Sequence, residues 1–144
     1  MTDMINNSKV DEIVLEENQL VCTLTNRIVK ATDKELTLQS MIEMMTVEYG
    51  FDSKDIERDF KLKYEDCEGK KKSTKVELAI FCEGMAHDVD NLIRVVVVAK
   101  DAKVKADDKK NGVVASLENI LTYTNCEFGC WTNGEDLQFL HYSE

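Results

Sequence analysis

One lysine, Lys100, stands at the end of an apolar run rich in valine. Residues 92–99 read Leu-Ile-Arg-Val-Val-Val-Val-Ala, and Lys100 follows directly. A continuous apolar run of this length, with so many β-branched residues, predicts a strand buried on both faces at the centre of a sheet. We therefore expect the ammonium group of Lys100 to be a cation held at one fixed place in the fold.

The cysteines and histidines do not form the pattern of a metal site. The chain has no C-x-x-C pair, and its two histidines, His87 and His141, lie far apart. Structural zinc sites need four such ligands at characteristic spacings. We therefore expect no structural zinc site and interpret the cysteines as buried free thiols. They are Cys22, Cys67, Cys82, Cys126 and Cys130.

The net charge opposes binding to nucleic acid by the molecule as a whole. It is formally −10 over 144 residues, which argues against tight autonomous DNA binding and requires any basic surface to be local. Solvated loop lysines are the alternative interpretation of both basic clusters. The first cluster is Lys70, Lys71, Lys72 and Lys75; the second is Lys100, Lys103, Lys105, Lys109 and Lys110.

The length and composition are those of a single globular domain. No window approaches the roughly 18 apolar residues of a membrane span, and residues 1–10 lack the pattern of a secretory signal. We expect a cytoplasmic protein without membrane contact. Residues 1–18 are expected to form a polar lead-in to a domain over 19–144.

The first half of the chain predicts a helix followed by three strands. Thr32-Asp-Lys-Glu35 has the spacing of a capping box, which predicts the start of a helix,. Gly50 predicts the end of this helix. An apolar stripe of Leu38, Met41, Ile42, Met45 and Tyr49 lies between them. Alternation predicts an edge strand over 19–25 and strands over 56–65 and 75–82, with a lysine-rich loop over 65–74. The strands at 56–65, 75–82 and 92–100 are expected to form a three-stranded antiparallel meander.

The second half predicts a helix followed by a hairpin. Apolar residues recur at helical spacing over 112–121, and strands are expected over 126–132 and 137–142 on either side of Asn133-Gly134, a strong hairpin signal,. The predicted order is α-β-β-β-α-β-β. The fold class is therefore α/β of the α+β kind, with a mixed central sheet flanked by helices.

This order and several stretches of sequence resemble the N-terminal domain of type I restriction enzyme R subunits and related restriction-methylase proteins, whose core is the PD-(D/E)xK restriction-endonuclease fold. The resemblance covers about residues 19–142. Its matching stretches are Ile28-Val-Lys-Ala-Thr-Asp-Lys-Glu35, Val47-Glu-Tyr-Gly-Phe51, 75–81, 95–100 and 123–136.

The resemblance implies a magnesium-dependent hydrolytic site, which this chain matches only in part. Carboxylates from two adjacent strands would hold Mg²⁺, and a lysine would position the attacking water. Glu77 stands at the first metal-binding acid and Lys100 at the lysine, while Val98 replaces the second acid. The remaining positions are Ser116 and Ile120, where relatives carry glutamine and tyrosine, and Glu35, which is either an accessory acid or part of the capping box.

Three functions follow as expectations. The first is a nuclease-fold domain of a DNA restriction-modification system with a degenerate site, which contacts DNA through Lys103, Lys105, Lys109 and Lys110 or docks other subunits. The second is an active Mg²⁺-dependent DNA endonuclease that uses Glu77, Lys100 and a substitute acid. The third is a soluble, non-catalytic interaction protein.

The predicted site has a definite geometry if no metal binds. Glu77 and Lys100 lie on consecutive antiparallel strands, so we expect the two side chains to form an ion pair. Three acids could in principle substitute for the missing acid at Val98. Glu118 on the helix is expected to face away, and Asp90 and Asp101 at strand ends are expected to be solvated. No cofactor other than Mg²⁺ is implied.

Overall fold

The computed structural model describes residues 15–105 and 113–142, which form a mixed five-stranded sheet, a small two-stranded sheet and two main helices. Two short strands come first, β1 (Gln19–Val21) and β2 (Ile28–Lys30), and helix α1 (Asp33–Glu43) follows them. The rest of the chain adds β3 (Ile56–Glu65), β4 (Lys71–Phe81), β5 (Leu92–Val98), α2 (Val113–Tyr123), β6 (Phe128–Thr132) and β7 (Leu137–His141).

The large sheet has the strand order β3-β4-β5-β6-β7. All neighbours are antiparallel except β5 and β6, which are parallel because α2 connects them across one face of the sheet,. The predicted meander, mixed sheet and element order are therefore confirmed. The short β1–β2 hairpin replaces the single predicted edge strand, because residues 28–30 turn back and pair with 19–21.

Helix α1 covers one face of the sheet with the predicted apolar stripe. Leu38, Met41, Ile42 and Met45 are buried against Leu78, Ile80, Val96, Val98 and Cys130. Tyr49 departs from the prediction, since it is 46% exposed. The α-helix ends at Glu43 and widens into a π-helical turn over Met44–Glu48, which changes the phase of the stripe. The Tyr49 ring instead lies 4.7 Å from the guanidinium carbon of Arg94.

Helix α2 covers the other face. Leu117, Ile120 and Leu121 belong to a core cluster with Val95, Phe81 and Trp131 of the sheet. Gly129 of β6 permits the close approach, because a Cβ atom there would lie 2.8 Å from Leu117 Cδ1. Strand β5 is thus covered by a helix on both faces, as its valine-rich sequence predicts.

The β3–β4 hairpin differs from the sequence-based prediction in two ways. The turn spans only residues 66–70, so Lys71 and Lys72 lie on a strand rather than in the predicted loop. Asp66 makes this tight turn possible, because its Oδ1 accepts hydrogen bonds from the amides of Glu68 and Lys70. The backbone of Asp59 has φ +53°, and the side-chain alternation of β3 changes face there.

The five cysteines are free thiols, as predicted, but only three are buried. Burial raises the pKa values of Cys126 and Cys130 to about 12, so both remain protonated at neutral pH. Cys67 is exposed at the β3–β4 turn, contrary to the prediction. None of the described helices is long and apolar enough to cross a membrane.

Glu35 ties α1 to β3 instead of completing the capping box. Thr32 caps the helix as predicted, since its hydroxyl accepts from the Glu35 amide at 3.1 Å. The Glu35 carboxylate, however, receives two hydrogen bonds from Arg58, at 2.8 and 3.0 Å, and one from Gln39 at 2.7 Å. Burial raises the pKa of Glu35, but the bonds from Arg58 and Gln39 outweigh that effect and hold the pKa below its ordinary value,.

We predict that Arg58→Met destabilises the fold by about 3 kcal/mol at neutral pH, because Glu35 is left buried without its partner. The folded-state pKa of Glu35 lies below the unfolded value. The stability that ionised Glu35 contributes to the fold is therefore complete above the ordinary carboxyl pKa and is lost as pH falls through the folded-state pKa. Urea unfolding over a pH series should show the difference from the parent shrinking in acid. Arg27→Met, at an exposed arginine, is the control, and an equal cost at every pH would contradict the assignment.

Candidate functional site

The candidate site lies where β4 and β5 separate. The backbone pairing between the two strands ends at Leu78 and Val96. At the next residue of β4, the Glu77 side chain provides the hydrogen-bond acceptor that the β4 backbone no longer provides. Oε1 of Glu77 accepts a hydrogen bond from the Val98 amide at 2.8 Å. A buried carboxylate thus satisfies a strand amide that the ladder no longer pairs, which fixes Glu77 at the point where the two strands separate,.

The second oxygen of Glu77 is bound by a lysine from α1. Lys34 Nζ lies 3.1 Å from Glu77 Oε2, and the side chain of Glu77 is only 7% exposed. A carboxylate at this depth needs a partner charge as well as hydrogen bonds. Lys34 supplies that charge, so both oxygens of Glu77 have partners within the protein.

The expected ion pair between Glu77 and Lys100 is wrong. Among the described residues, the partner of Glu77 is Lys34, and Lys100 is an exposed residue two positions past the end of β5. Because β5 ends at Val98, Lys100 no longer lies in the ladder beside Glu77. The first turn of α1 reaches the carboxylate instead.

The five positions carried over from the nuclease fold nevertheless meet around one cavity of about 280 Å³. Its wall includes Glu77, Val98, Lys100, Ser116 and Ile120, together with Thr74, Lys75, Val76, Val97, Ala99 and Val104. Residues far apart in sequence, from β4, β5 and α2, are thus brought together at the separating ends of the strands. The arrangement has the position of a site, but among the described residues of its lining Glu77 is the one acid.

The donors at this cavity do not fit a magnesium ion. Mg²⁺ requires several oxygen ligands in a near-octahedral arrangement. Glu77 already shares both oxygens with protein groups, and Val98, 3% exposed in the core beneath α1, offers no side-chain oxygen. Within residues 15–105 and 113–142, no three acidic, histidine or cysteine side chains are grouped as a metal site would require.

Glu35 lies in a separate network. Its carboxylate faces Arg58, and Arg58 also donates to Cys22 Sγ at 3.2 Å. Burial raises the pKa of the Cys22 thiol, but hydrogen bonds from Thr25, Gln39 and Arg58 lower it to about 7. Glu35 is therefore committed to the β3–α1 contact, which supports its structural role over that of an accessory acid.

The loop that carries Lys100 is anchored by Asn133. The buried Asn133 side chain donates to the carbonyl oxygens of Ala102 and Val104, at 3.3 and 2.8 Å. Lys103 and Lys105, two of the predicted DNA-binding lysines, are exposed on this loop, and Lys105 Nζ donates to the Ala102 carbonyl at 3.2 Å. Lys109 and Lys110 lie outside the described residues.

Two positioning residues, Lys34 and Asn133, were not identified from the sequence as parts of the site. Lys34 precedes Leu38 by one helical turn, so the apolar stripe of α1, extended towards its N-terminus, reaches it. That periodicity was a usable signal. The sequence identifies Asn133 only as a turn residue, and no local pattern indicates that its amide group binds another loop.

The family model of the type I restriction enzyme R protein N terminus matches residues 33–144. The chain belongs to this family. The matched range contains α1, α2, the five-stranded sheet and all the residues around the cavity, so the resemblance seen in the sequence is confirmed. No curated protein and no solved structure matches the chain significantly. As an R protein N-terminal domain, the chain has a role in restriction-modification.

We predict that Lys34→Met destabilises this R protein domain by about 2 kcal/mol, because it leaves the buried Glu77 carboxylate without a compensating charge. The cost is moderate because the lysine end of the pair is partly exposed to solvent,. Chemical unfolding measures the loss, and Lys54→Met, at an exposed lysine, is the matched control. Replacing Glu77 with Gln in the Lys34→Met background should recover part of the stability. No recovery would contradict the proposed charge pairing.

Proposed function

We propose that this chain is a non-catalytic nuclease-fold domain that contacts DNA within a restriction-modification complex. The observation that carries the proposal is the state of Glu77, whose two oxygens are bound by Lys34 and the Val98 amide. A metal ion would have to displace the partly exposed Lys34 from the buried carboxylate and would then find one carboxylate only. The site is therefore interpreted as a structural remnant that holds α1 against the sheet.

Contact with DNA is supported by family membership and by the exposed lysines near the cavity. Lys100 and Lys103 carry their charges on a loop that Asn133 holds in place. A net charge of −10 nevertheless restricts contact to such local surfaces,. The binding should accordingly be weak, salt-dependent and insensitive to sequence.

Docking of another subunit is the second candidate. Strand β7 is an edge of the large sheet, and it leaves Leu137 and Phe139 40% and 55% exposed. Apolar side chains on an open edge are typical of surfaces that another chain covers. Co-sedimentation with the other subunits of the system would test this candidate independently of DNA.

Cleavage of supercoiled and linear DNA by the purified domain, with Mg²⁺ or Mn²⁺, tests the absence of catalysis. We expect no cleavage by the parent protein and none by Lys100→Ala, while circular dichroism shows both to be folded. Metal-dependent cleavage that disappears in Lys100→Ala would establish the alternative, an endonuclease that uses Glu77, Lys100 and a substitute acid.

We predict that Val98→Glu creates divalent-metal binding, because it restores a second oxygen ligand beside Glu77. Mn²⁺ should raise the melting temperature of this variant and leave that of the parent unchanged. Val98→Gln, which matches the new side chain in size but lacks its charge, is the control and should not respond. An unchanged metal affinity in Val98→Glu would mean that the cavity is not organised as a nuclease site.

A further inference from the structure

The distal half of the β3–β4 hairpin carries a concentration of lysines that the domain fold does not require. Residues 61–75 contain six lysines and three acids, in a chain whose net charge is −10. The three acids, Glu65, Asp66 and Glu68, lie at or beside the turn, and Asp66 is occupied by the amides of Glu68 and Lys70. Much of the remaining ribbon is therefore positively charged.

Four of these lysines point to one face of the ribbon, which we call the hairpin lysine face. Phe60, Leu62 and Tyr64 pack into the core beneath α2, so the residues between them point the other way,. The strand register then sets Lys61 opposite Lys75 and Lys63 opposite Ser73, with Glu65 opposite Lys71. The face comprises Lys61, Lys63, Lys71 and Lys75, all exposed.

The arrangement of the hairpin lysine face is unfavourable for the isolated domain. Like charges directly opposite each other destabilise a strand pair, and Lys61 and Lys75 are such a pair. The acids that offset the face are Glu65, opposite Lys71, and Asp59, whose Oδ1 lies 3.8 Å from Lys75 Nζ. Among the described residues, Lys61 and Lys63 form no ion pair with an acid.

Protection of the sheet edge explains only part of this pattern. Lysines on an edge strand prevent pairing with other chains, and β3 is an edge of the sheet. Because β4 pairs with β5 only over residues 78–81, the same role extends to Lys71 and Lys75 on the free part of β4. It does not explain why Lys61 and Lys75 lie directly opposite each other, where their like charges repel,. A polyanion would relieve the repulsion on both strands together.

We propose that the hairpin lysine face binds the phosphate backbone of duplex DNA. A two-stranded ribbon is narrow enough to follow a DNA groove, and alternate residues along a strand repeat at about 7 Å, so several phosphates can be contacted together. Lys63, Lys71 and Lys72 also line a groove of about 610 Å³ beside the ribbon. The inference rests on the proposed DNA-contacting function and assigns its main contact to the hairpin rather than to the loop after β5.

Three double variants with the same change in charge test this assignment. They are Lys61→Gln with Lys63→Gln on the hairpin, Lys103→Gln with Lys105→Gln on the loop, and Lys30→Gln with Lys54→Gln as the control at exposed lysines elsewhere. The probe is a fluorescein-labelled duplex of arbitrary sequence. Anisotropy is measured over a series of salt concentrations, and sedimentation checks that each variant is monomeric.

We expect the hairpin variant to bind more weakly and its slope of log affinity against log salt to fall by about 2, since each lost lysine–phosphate contact removes about one unit. The control should retain the parent slope. An equal loss in the control, or no loss in the hairpin variant, overturns the assignment. A loss in the loop variant alone overturns it but leaves the DNA-contacting function intact, whereas a parent protein that does not bind the duplex refutes both.

Discussion

The burial of one carboxylate, Glu77, constrains the part of this domain where β4 and β5 separate and α1 meets the sheet. A charged side chain that is only 7% exposed is stable only if the protein supplies both hydrogen bonds and an opposite charge,. The Val98 amide and Lys34 meet that requirement from two different elements, β5 and α1. The same contacts that stabilise Glu77 therefore join the first helix to the centre of the sheet.

The separation of β4 from β5 and the closed state of the Glu77 carboxylate are linked through this contact. A strand amide released from the ladder must find another acceptor, and Glu77 provides it at Val98. In a chain with an acid at position 98, the two carboxylates would repel each other unless a cation lay between them. Val98 removes that repulsion and fills the core beneath α1. The shape of the cavity can thus persist without the ion.

Much of the fold could be predicted because its signals are local. The valine run of β5, the stripe of α1 and the Asn133-Gly134 turn each determine one element, and their order gives the topology. Which side chains contact each other depends instead on how the helices and strands are placed and rotated relative to one another. Lys34 reaches Glu77 because the first turn of α1 lies beside the point where β4 and β5 separate. The left-handed backbone at Asp59 changes which residues of β3 face each helix. A change in the face to which a strand's side chains point is difficult to detect in the alternation of apolar residues.

The backbone amide of Val98 is the most direct reporter of the state of Glu77, because the hydrogen bond between them is lost if a metal ion takes the carboxylate. An NMR titration with Mg²⁺ would follow this amide in the parent protein, with the amide of Val96 in the paired part of β5 as an internal reference. We expect the Val98 resonance to stay unchanged as Mg²⁺ is added. A saturable shift at Val98 that is absent at Val96 would show that Glu77 binds the ion, and it would contradict a site closed by Lys34.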